Sequence, residues 1–159
     1  MTEHAFNLKK WYQFLALGFG SGLARKAPGT FGTLAAVPLV ALLLWAGNTY
    51  LLVFVILGAL LGVYICERTT KDIGVHDHGA IVWDEIIGLG ITMLWVPLHW
   101  QTLVLGFVLF RLFDIVKPWP ISWLDKKVHG GVGIMLDDVV AGVFALVALQ
   151  LLLPLLPLS

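Results

Sequence analysis

Charged residues are scarce in this chain of 159 residues: they make up 13% of it, whereas apolar residues make up 59%. Ordinary soluble proteins carry roughly a quarter charged residues. No charged residue occurs between Ala27 and Cys66, and a soluble domain of this size has too little interior to bury such a run. This scarcity excludes an ordinary soluble domain and predicts a polytopic membrane protein.

Cysteine is nearly absent as well, because Cys66 is the one cysteine in the sequence. An internal disulfide framework is therefore excluded. The net charge is zero, so the composition predicts no nucleic-acid partner. The length allows one domain, and we expect a single all-α membrane bundle over residues 1–159.

The apolar segments predict about five membrane-spanning helices, because one crossing needs about 20 residues. Their approximate ranges are 30–46, 50–66, 81–98, 102–116 and 138–156. Gly47-Asn48-Thr49 is the expected turn between the first two helices. A short helix from Trp11 to Leu17 is expected to lie along the membrane interface.

The positive charges indicate an orientation. The turns after the first and third predicted spans, and the tail after the fifth, carry no charge. With five crossings, the N-terminal segment and the two remaining loops share one side, which the positive-inside rule makes cytoplasmic. We therefore expect the N-terminus inside and the C-terminus outside. The residues that carry this argument are Lys9, Lys10, Arg25, Lys26, Arg68, Lys71, Lys117, Lys126 and Lys127.

Several acidic residues lie within or beside the predicted spans. Glu85 and Asp114 both fall about 20 Å from the outer end of the third and fourth helices, at 1.5 Å per residue, with Arg111 one turn deeper. Ionisable groups inside a membrane mark functional sites. Arg111 and Asp114 could simply neutralise each other at i,i+3 spacing, but that pair would leave the other acids unexplained.

Carboxylates without nearby cysteine or paired histidine ligands favour a hard cation, Mg²⁺ or Mn²⁺. Arg111 and Lys117 are candidates for holding phosphate oxygens. The glycine-containing segment from Ala27 to Thr33 runs into the first span, where the amides near Gly29 and Thr30 would favour an anion. His76 and His78 flank Asp77 and fit a solvated loop better than a metal site.

Five segments in sequence order resemble the phosphatidylglycerophosphatase A family: Ala27–Thr30, Asp72–Asp77, Ile81–Gly88, Arg111–Pro120 and Gly130–Gly142. The resemblance implies a multi-pass enzyme of the bacterial inner membrane, dependent on Mg²⁺. Such an enzyme removes the terminal phosphate of phosphatidylglycerophosphate, which yields phosphatidylglycerol and inorganic phosphate.

With that activity in view, the expected Mg²⁺ ligands, or residues that position the attacking water, are Asp84, Glu85, Asp114 and Asp138, with Asp72 and Asp137 as alternatives. Arg111 and Lys117 would neutralise the transferring phosphoryl group, with Gly29 and Thr30 as lesser substrate contacts. Direct attack by metal-activated water and formation of an aspartyl-phosphate both fit these residues.

Two other classes of protein also place acids inside a membrane. An ion-coupled transporter would do so, but the chain has no inverted repeat and no charge on the outer side. A metal-dependent lipid phosphotransferase would cluster aspartates too, but its usual Asp-Gly and Ala-Arg pattern is absent. No feature of the sequence predicts an oligomeric state.

Overall fold

The computed structural model describes residues 6–158, and every regular element in that range is helical. The prediction of an all-α fold is confirmed. The α-helices are α1 (Trp11–Ala16), α2 (Pro28–Ala46), α3 (Asn48–Ile73), α4 (Trp83–Thr92), α5 (Trp100–Val116), α6 (Ile121–Lys127) and α7 (Gly130–Leu152). Single 3₁₀ turns lie at Ser21–Leu23 and Leu153–Leu155.

Helices α2 and α3 form the hairpin that the uncharged run predicts. Gly47 separates them with φ 141°, a left-handed backbone that glycine adopts without steric cost. Helix α3 continues to Ile73, well beyond the predicted end near residue 66. The charges after Cys66 end the apolar stretch but not the helix, and within this last part of α3 Glu67 and Lys71 pair at i,i+4 with 3.0 Å between charged atoms.

Helix α4 corrects the predicted third span. It ends at Thr92 instead of continuing to residue 98, because Met93–Trp95 form a turn in which Trp95 has φ 57°. Pro97 has no amide hydrogen to donate, so α4 cannot continue through this position towards residue 98. Ten residues extend only about 15 Å, half of a hydrocarbon core about 30 Å thick. Helix α4 therefore lies inside the bundle, with every residue except Glu85 buried.

Contacts at one end of the bundle show how far the α4 segment reaches. The Trp95 amide donates to Asn48 Oδ1 at 2.7 Å, and Gln150 Nε2 donates to the Trp95 carbonyl at 3.3 Å. We call this the Asn48 end. The Trp83 indole N–H donates to the Gly58 carbonyl at 2.9 Å. Gly58 lies ten residues into α3, so α4 begins about 15 Å from the Asn48 end.

The opposite end of the bundle holds most of the charged contacts, and we call it the charged end. Lys10 of the N-terminal segment contacts Asp72 of α3 at 2.8 Å. The Gly131 amide at the start of α7 donates to Glu67 Oε2 at 2.6 Å. The segments that the charge pattern assigns to one side thus meet at one end of the molecule.

Helix α7 begins at Gly130, eight residues before the predicted start. Near this start α7 approaches α3 closely: a Cβ atom added to Gly131 would lie 2.1 Å from the Val63 carbonyl oxygen. Any larger residue would force α7 away from α3. The glycines that look like a loop in sequence therefore serve helix packing. Helix α6 also falls in a segment predicted as loop.

Three helical segments among residues 6–158 are long and apolar enough to cross a membrane: Pro28–Ala46, Asn48–Ile73 and Gly130–Leu155. Large apolar side chains such as Leu42, Leu60 and Leu151 lie on their exposed faces, as expected for lipid contact. Five crossings, the orientation and the interfacial position of α1 stay predictions. The predicted sides of the membrane for the two termini concern residues 1–5 and 159, which lie outside the described range.

Candidate active site

Three carboxylates converge in the interior of the bundle. Asp84 and Glu85 come from the first turn of α4, and Asp138 comes from α7. One oxygen of each residue lies within 4.8 Å of the others. Asp138 is 2% exposed and Asp84 is 8% exposed, while the Glu85 side chain is 12% exposed. Like charges so close together in a dry site repel one another, and a bound cation would relieve that repulsion.

Two glycines bring α4 and α7 close enough to form this group. A Cβ atom on Gly142 of α7 would lie 2.7 Å from the Gly88 carbonyl oxygen, and one on Gly88 would lie 3.1 Å from the Asp138 carbonyl oxygen. Gly88 follows Asp84 by one helical turn. The close crossing therefore places Asp138 next to the two acids at the start of α4.

Arg111 of α5 borders the carboxylate group. Its Nη1 contacts the Asp114 carboxylate and lies 3.9 Å from Glu85 Oε1. Gly29 at the start of α2 lies against this pair, because an added Cβ atom would come 2.8 Å from Glu85 Oε1 and 3.1 Å from Arg111 Nη2. The structure thus brings together six residues predicted from the sequence. Asp114 joins them through its contact with Arg111, and the other five are Asp84, Glu85, Asp138, Arg111 and Gly29.

Several polar atoms of this group have no hydrogen-bond partner among the described residues. They are Asp84 Oδ1, Glu85 Oε2, Asp138 Oδ2 and Arg111 Nε. Buried polar atoms in proteins normally have partners, since leaving one unpaired costs free energy. Three free carboxylate oxygens are the ligand set that a hard divalent cation prefers. A free guanidinium N–H beside them suits a phosphate oxygen.

Lys117 is placed differently from the prediction. Its ammonium lies 3.0 Å from Asp125 Oδ1 and 3.2 Å from Asp137 Oδ2. Burial by itself lowers the pKa of Lys117, but the hydrogen bond to Asp125 and the charge of Asp137 raise it above its usual value. Lys117 therefore stays cationic and joins the end of α5 to α6 and α7. Asp137, a predicted alternative ligand, is occupied by this contact.

Asp72, the other predicted alternative ligand, is not brought into the carboxylate group. Its Oδ2 accepts hydrogen bonds from Lys10 at 2.8 Å, from Gln13 at 2.9 Å and from the Tyr12 hydroxyl. These contacts fasten α1 to the end of α3. The sequence places Asp72 near other acids, but only the helix packing shows that its carboxylate is directed to α1.

Thr30 lies beside the site in the first turn of α2, but its amide donates to the Ala27 carbonyl at 3.0 Å. The sequence suggested that this amide could bind an anion, but its hydrogen bond to Ala27 leaves it unavailable. Gly29 contributes instead by having no side chain. Sequence reasoning missed Gly88 and Gly142, whose only signal is that each lies one turn from an acidic residue.

Comparison with known proteins identifies the family of this chain. The family model of phosphatidylglycerophosphatase A matches residues 14–153. The chain belongs to the phosphatidylglycerophosphatase A family. The family assignment made from the sequence is confirmed, and with it the assignment to a family of phosphatases.

Two relatives that bear the name of this family, and a third with another name, are similar over most of the chain. The phosphatidylglycerophosphatase A of Escherichia coli is 55% identical over 138 residues, which cover 84% of this chain and 78% of that protein. The Haemophilus influenzae protein of the same name is 52% identical, over 84% of this chain and 83% of its own length. A Bacteroides thetaiotaomicron protein for which a phosphatidylinositol-3-phosphatase activity is proposed is 35% identical, over 84% of this chain and 87% of its own. No solved structure matches the chain.

Proposed function

We propose that this protein hydrolyses the terminal phosphate monoester of phosphatidylglycerophosphate, which yields phosphatidylglycerol and inorganic phosphate. The observation that carries the proposal is the buried group of three carboxylates with free oxygens beside Arg111. The names of the two relatives above 50% identity indicate the lipid. Family membership leaves neither the transporter nor the lipid phosphotransferase with specific support.

The residues present fit a divalent cation, and we propose Mg²⁺ held by Asp84, Glu85 and Asp138. When bound, the ion would supply positive charge to the phosphoryl oxygens and lower the pKa of a bound water. Asp114 orients the Arg111 guanidinium through their direct contact. Arg111 can then direct its free Nε–H towards a phosphate oxygen and stabilise charge there. Lys117 holds Asp137, next to Asp138, in place.

The site's burial suits a lipid substrate. Asp138, which marks the level of the site, lies eight positions after Gly130 and therefore about 12 Å along α7 from it. A phosphorylated headgroup can reach this level from the charged end while its acyl chains stay among lipids. We propose that the charged end faces the cytoplasm and that the protein resides in the bacterial inner membrane, in agreement with the positive-inside rule.

One assay tests the activity. Purified protein in detergent is given phosphatidylglycerophosphate, and phosphate release is measured with Mg²⁺ and with excess chelator. We expect release with Mg²⁺ and loss of release with chelator. No release in either condition refutes the proposed function, and equal release in both refutes the Mg²⁺ requirement. Phosphatidylinositol 3-phosphate belongs in the same assay because of the Bacteroides relative, and preferential hydrolysis of it would replace the proposed substrate.

The two routes to products differ in the group that attacks phosphorus. Attack by an aspartate leaves a phosphoryl group on the protein between two steps, whereas direct attack by water does not. Rapid acid quenching during turnover of lipid labelled in its terminal phosphate distinguishes them. Label retained on the protein and released by hydroxylamine would identify an aspartyl-phosphate.

A further inference from the structure

An apolar groove runs between α2 and α5 with a volume of about 190 Å³. Leu34 and Val37 of α2 and Leu103, Val104 and Phe107 of α5 line it. Leu34 and Val104 are 48% and 55% exposed, so the groove is open along the side of the bundle. We propose that this groove holds one acyl chain of the lipid whose phosphorylated headgroup binds beside Arg111. The inference rests on the proposed function and adds a subsite to it.

Along both helices, the groove leads towards the candidate active site. Residues four apart on a helix lie one above the other on the same face. Phe107 therefore stands one turn from Arg111 on α5, and Leu34 stands one turn from Thr30 on α2. One turn is about 5.4 Å. The apolar lining thus ends near Gly29 and Arg111, where the polar site begins. A lipid has the same arrangement, with a polar headgroup followed by an apolar chain.

A second apolar groove, between α5 and α7, makes a useful comparison. Its volume is about 400 Å³, and Phe113, Phe144 and Val147 are among its lining residues. On α5 it leads to Lys117, one turn beyond Phe113, and the Lys117 ammonium is already held between Asp125 and Asp137. The Arg111 Nε–H beside the other groove has no partner among the described residues. This difference favours the α2–α5 groove as the one that orients substrate.

The acyl chain gains little hydrophobic free energy in this groove, since the surrounding lipid is equally apolar. Its benefit is orientation: a chain fixed between α2 and α5 limits where the headgroup can lie. Blocking the groove should therefore lower kcat/KM for the long-chain lipid. It should not affect the deacylated headgroup, in which glycerol replaces diacylglycerol, because that compound has no chain to place.

Val104 and Val147 provide a matched pair for the experiment, with exposed fractions of 55% and 54% in the two grooves. We expect Val104→Trp to lower kcat/KM for phosphatidylglycerophosphate by about tenfold, an effect of orientation, and to leave the deacylated headgroup unchanged. Val147→Trp should leave both rates unchanged. Melting temperature and gel-filtration profile verify folding. Equal effects of the two substitutions on the long-chain lipid, or an equal loss with both substrates, would overturn the proposal.

A binding measurement keeps the inference separate from the catalytic proposal. Wild-type protein is photolabelled with phosphatidylglycerol that carries a diazirine within its acyl chain, and labelled peptides are mapped by mass spectrometry. We expect label on the α2–α5 groove that excess phosphatidylglycerophosphate displaces, and label on the α5–α7 groove that it does not displace. Wild-type protein without phosphatase activity would refute the proposed function alone, whereas equal displacement at both grooves, or at neither, would refute the acyl-chain subsite. Selective loss of self-association in Val104→Trp with unchanged kinetics would assign the groove to a second copy of this chain and also refute the subsite.

Discussion

Replacing Asp138 by asparagine tests the carboxylate group most directly. The change keeps the size of the side chain and removes one charge at a residue that is 2% exposed. Two unit charges 4.8 Å apart repel by about 3.5 kcal/mol at an effective dielectric constant of about 20. One oxygen each of Asp84, Glu85 and Asp138 lies within that distance of the other two, so two such repulsions act on an ionised Asp138. Their sum, about 7 kcal/mol, rivals the stability of a whole domain.

Because this repulsion is large, we expect Asp138→Asn to have opposite effects on stability and on activity. Without divalent cation, Asp138→Asn should melt at a temperature no lower than wild type, because the repulsion is relieved. Mg²⁺ should raise the melting temperature of wild type but raise that of the variant much less, because one ligand is lost. Phosphate release should fall by about 100-fold or more, which is typical when a group that stabilises the transition state is removed.

Asp72→Asn is the matched control, because Asp72 is also an aspartate near acids in sequence but is bound to Lys10 and Gln13. Its release rate should stay within about threefold of wild type, since exposed ion pairs contribute little. The assays are differential scanning fluorimetry with and without Mg²⁺ and steady-state phosphate release. An Asp138→Asn protein with near-normal turnover, or with the full Mg²⁺-dependent rise in melting temperature, would refute the reasoning.

Three further predictions follow from other contacts. Gly29→Ala should lower kcat by about tenfold, because its Cβ would lie 2.8 Å from Glu85 Oε1 and would displace that carboxylate. Its stability should change little, since only the flexible ends of the Glu85 and Arg111 side chains have to move. Gly79→Ala, whose Cβ would lie 3.7 Å from its nearest neighbour, is the control, and equal kinetics of the two variants would contradict the contact. Lys117→Met should destabilise the protein by about 3 kcal/mol, because Asp137 loses its cationic partner. Lys117→Arg keeps the charge and should therefore retain most of the wild-type stability. An unchanged melting temperature in Lys117→Met would show that the bridge contributes nothing. Thr49→Cys, exposed in the first turn of α3 at the Asn48 end, should react with an impermeant maleimide from outside the cell, while the buried Cys66 stays unlabelled. Labelling only after lysis would invert the proposed orientation.

The helical class, the α2–α3 hairpin and the family could be predicted from the sequence because each depends on local features. An uncharged run of this length has few physical solutions, and Gly47 marks the turn within it. The acids of the site were also predictable, since ionisable residues inside apolar segments are costly unless they serve a function. Helix ends were less predictable. The early end of α4 depends on a left-handed Trp95, and the early start of α7 depends on close contact between Gly131 and Val63.

The sequence by itself therefore determined what kinds of groups the candidate site contains: carboxylates, an arginine and glycines within an apolar chain. Only the tertiary structure decided which of them meet. Asp138 joins Asp84 and Glu85 because Gly88 and Gly142 let two helices cross closely, whereas Asp72 is bound to α1 instead. The physical reason is that charge and hydropathy are properties of single residues, while the distance between two carboxylates depends on how closely their helices can approach.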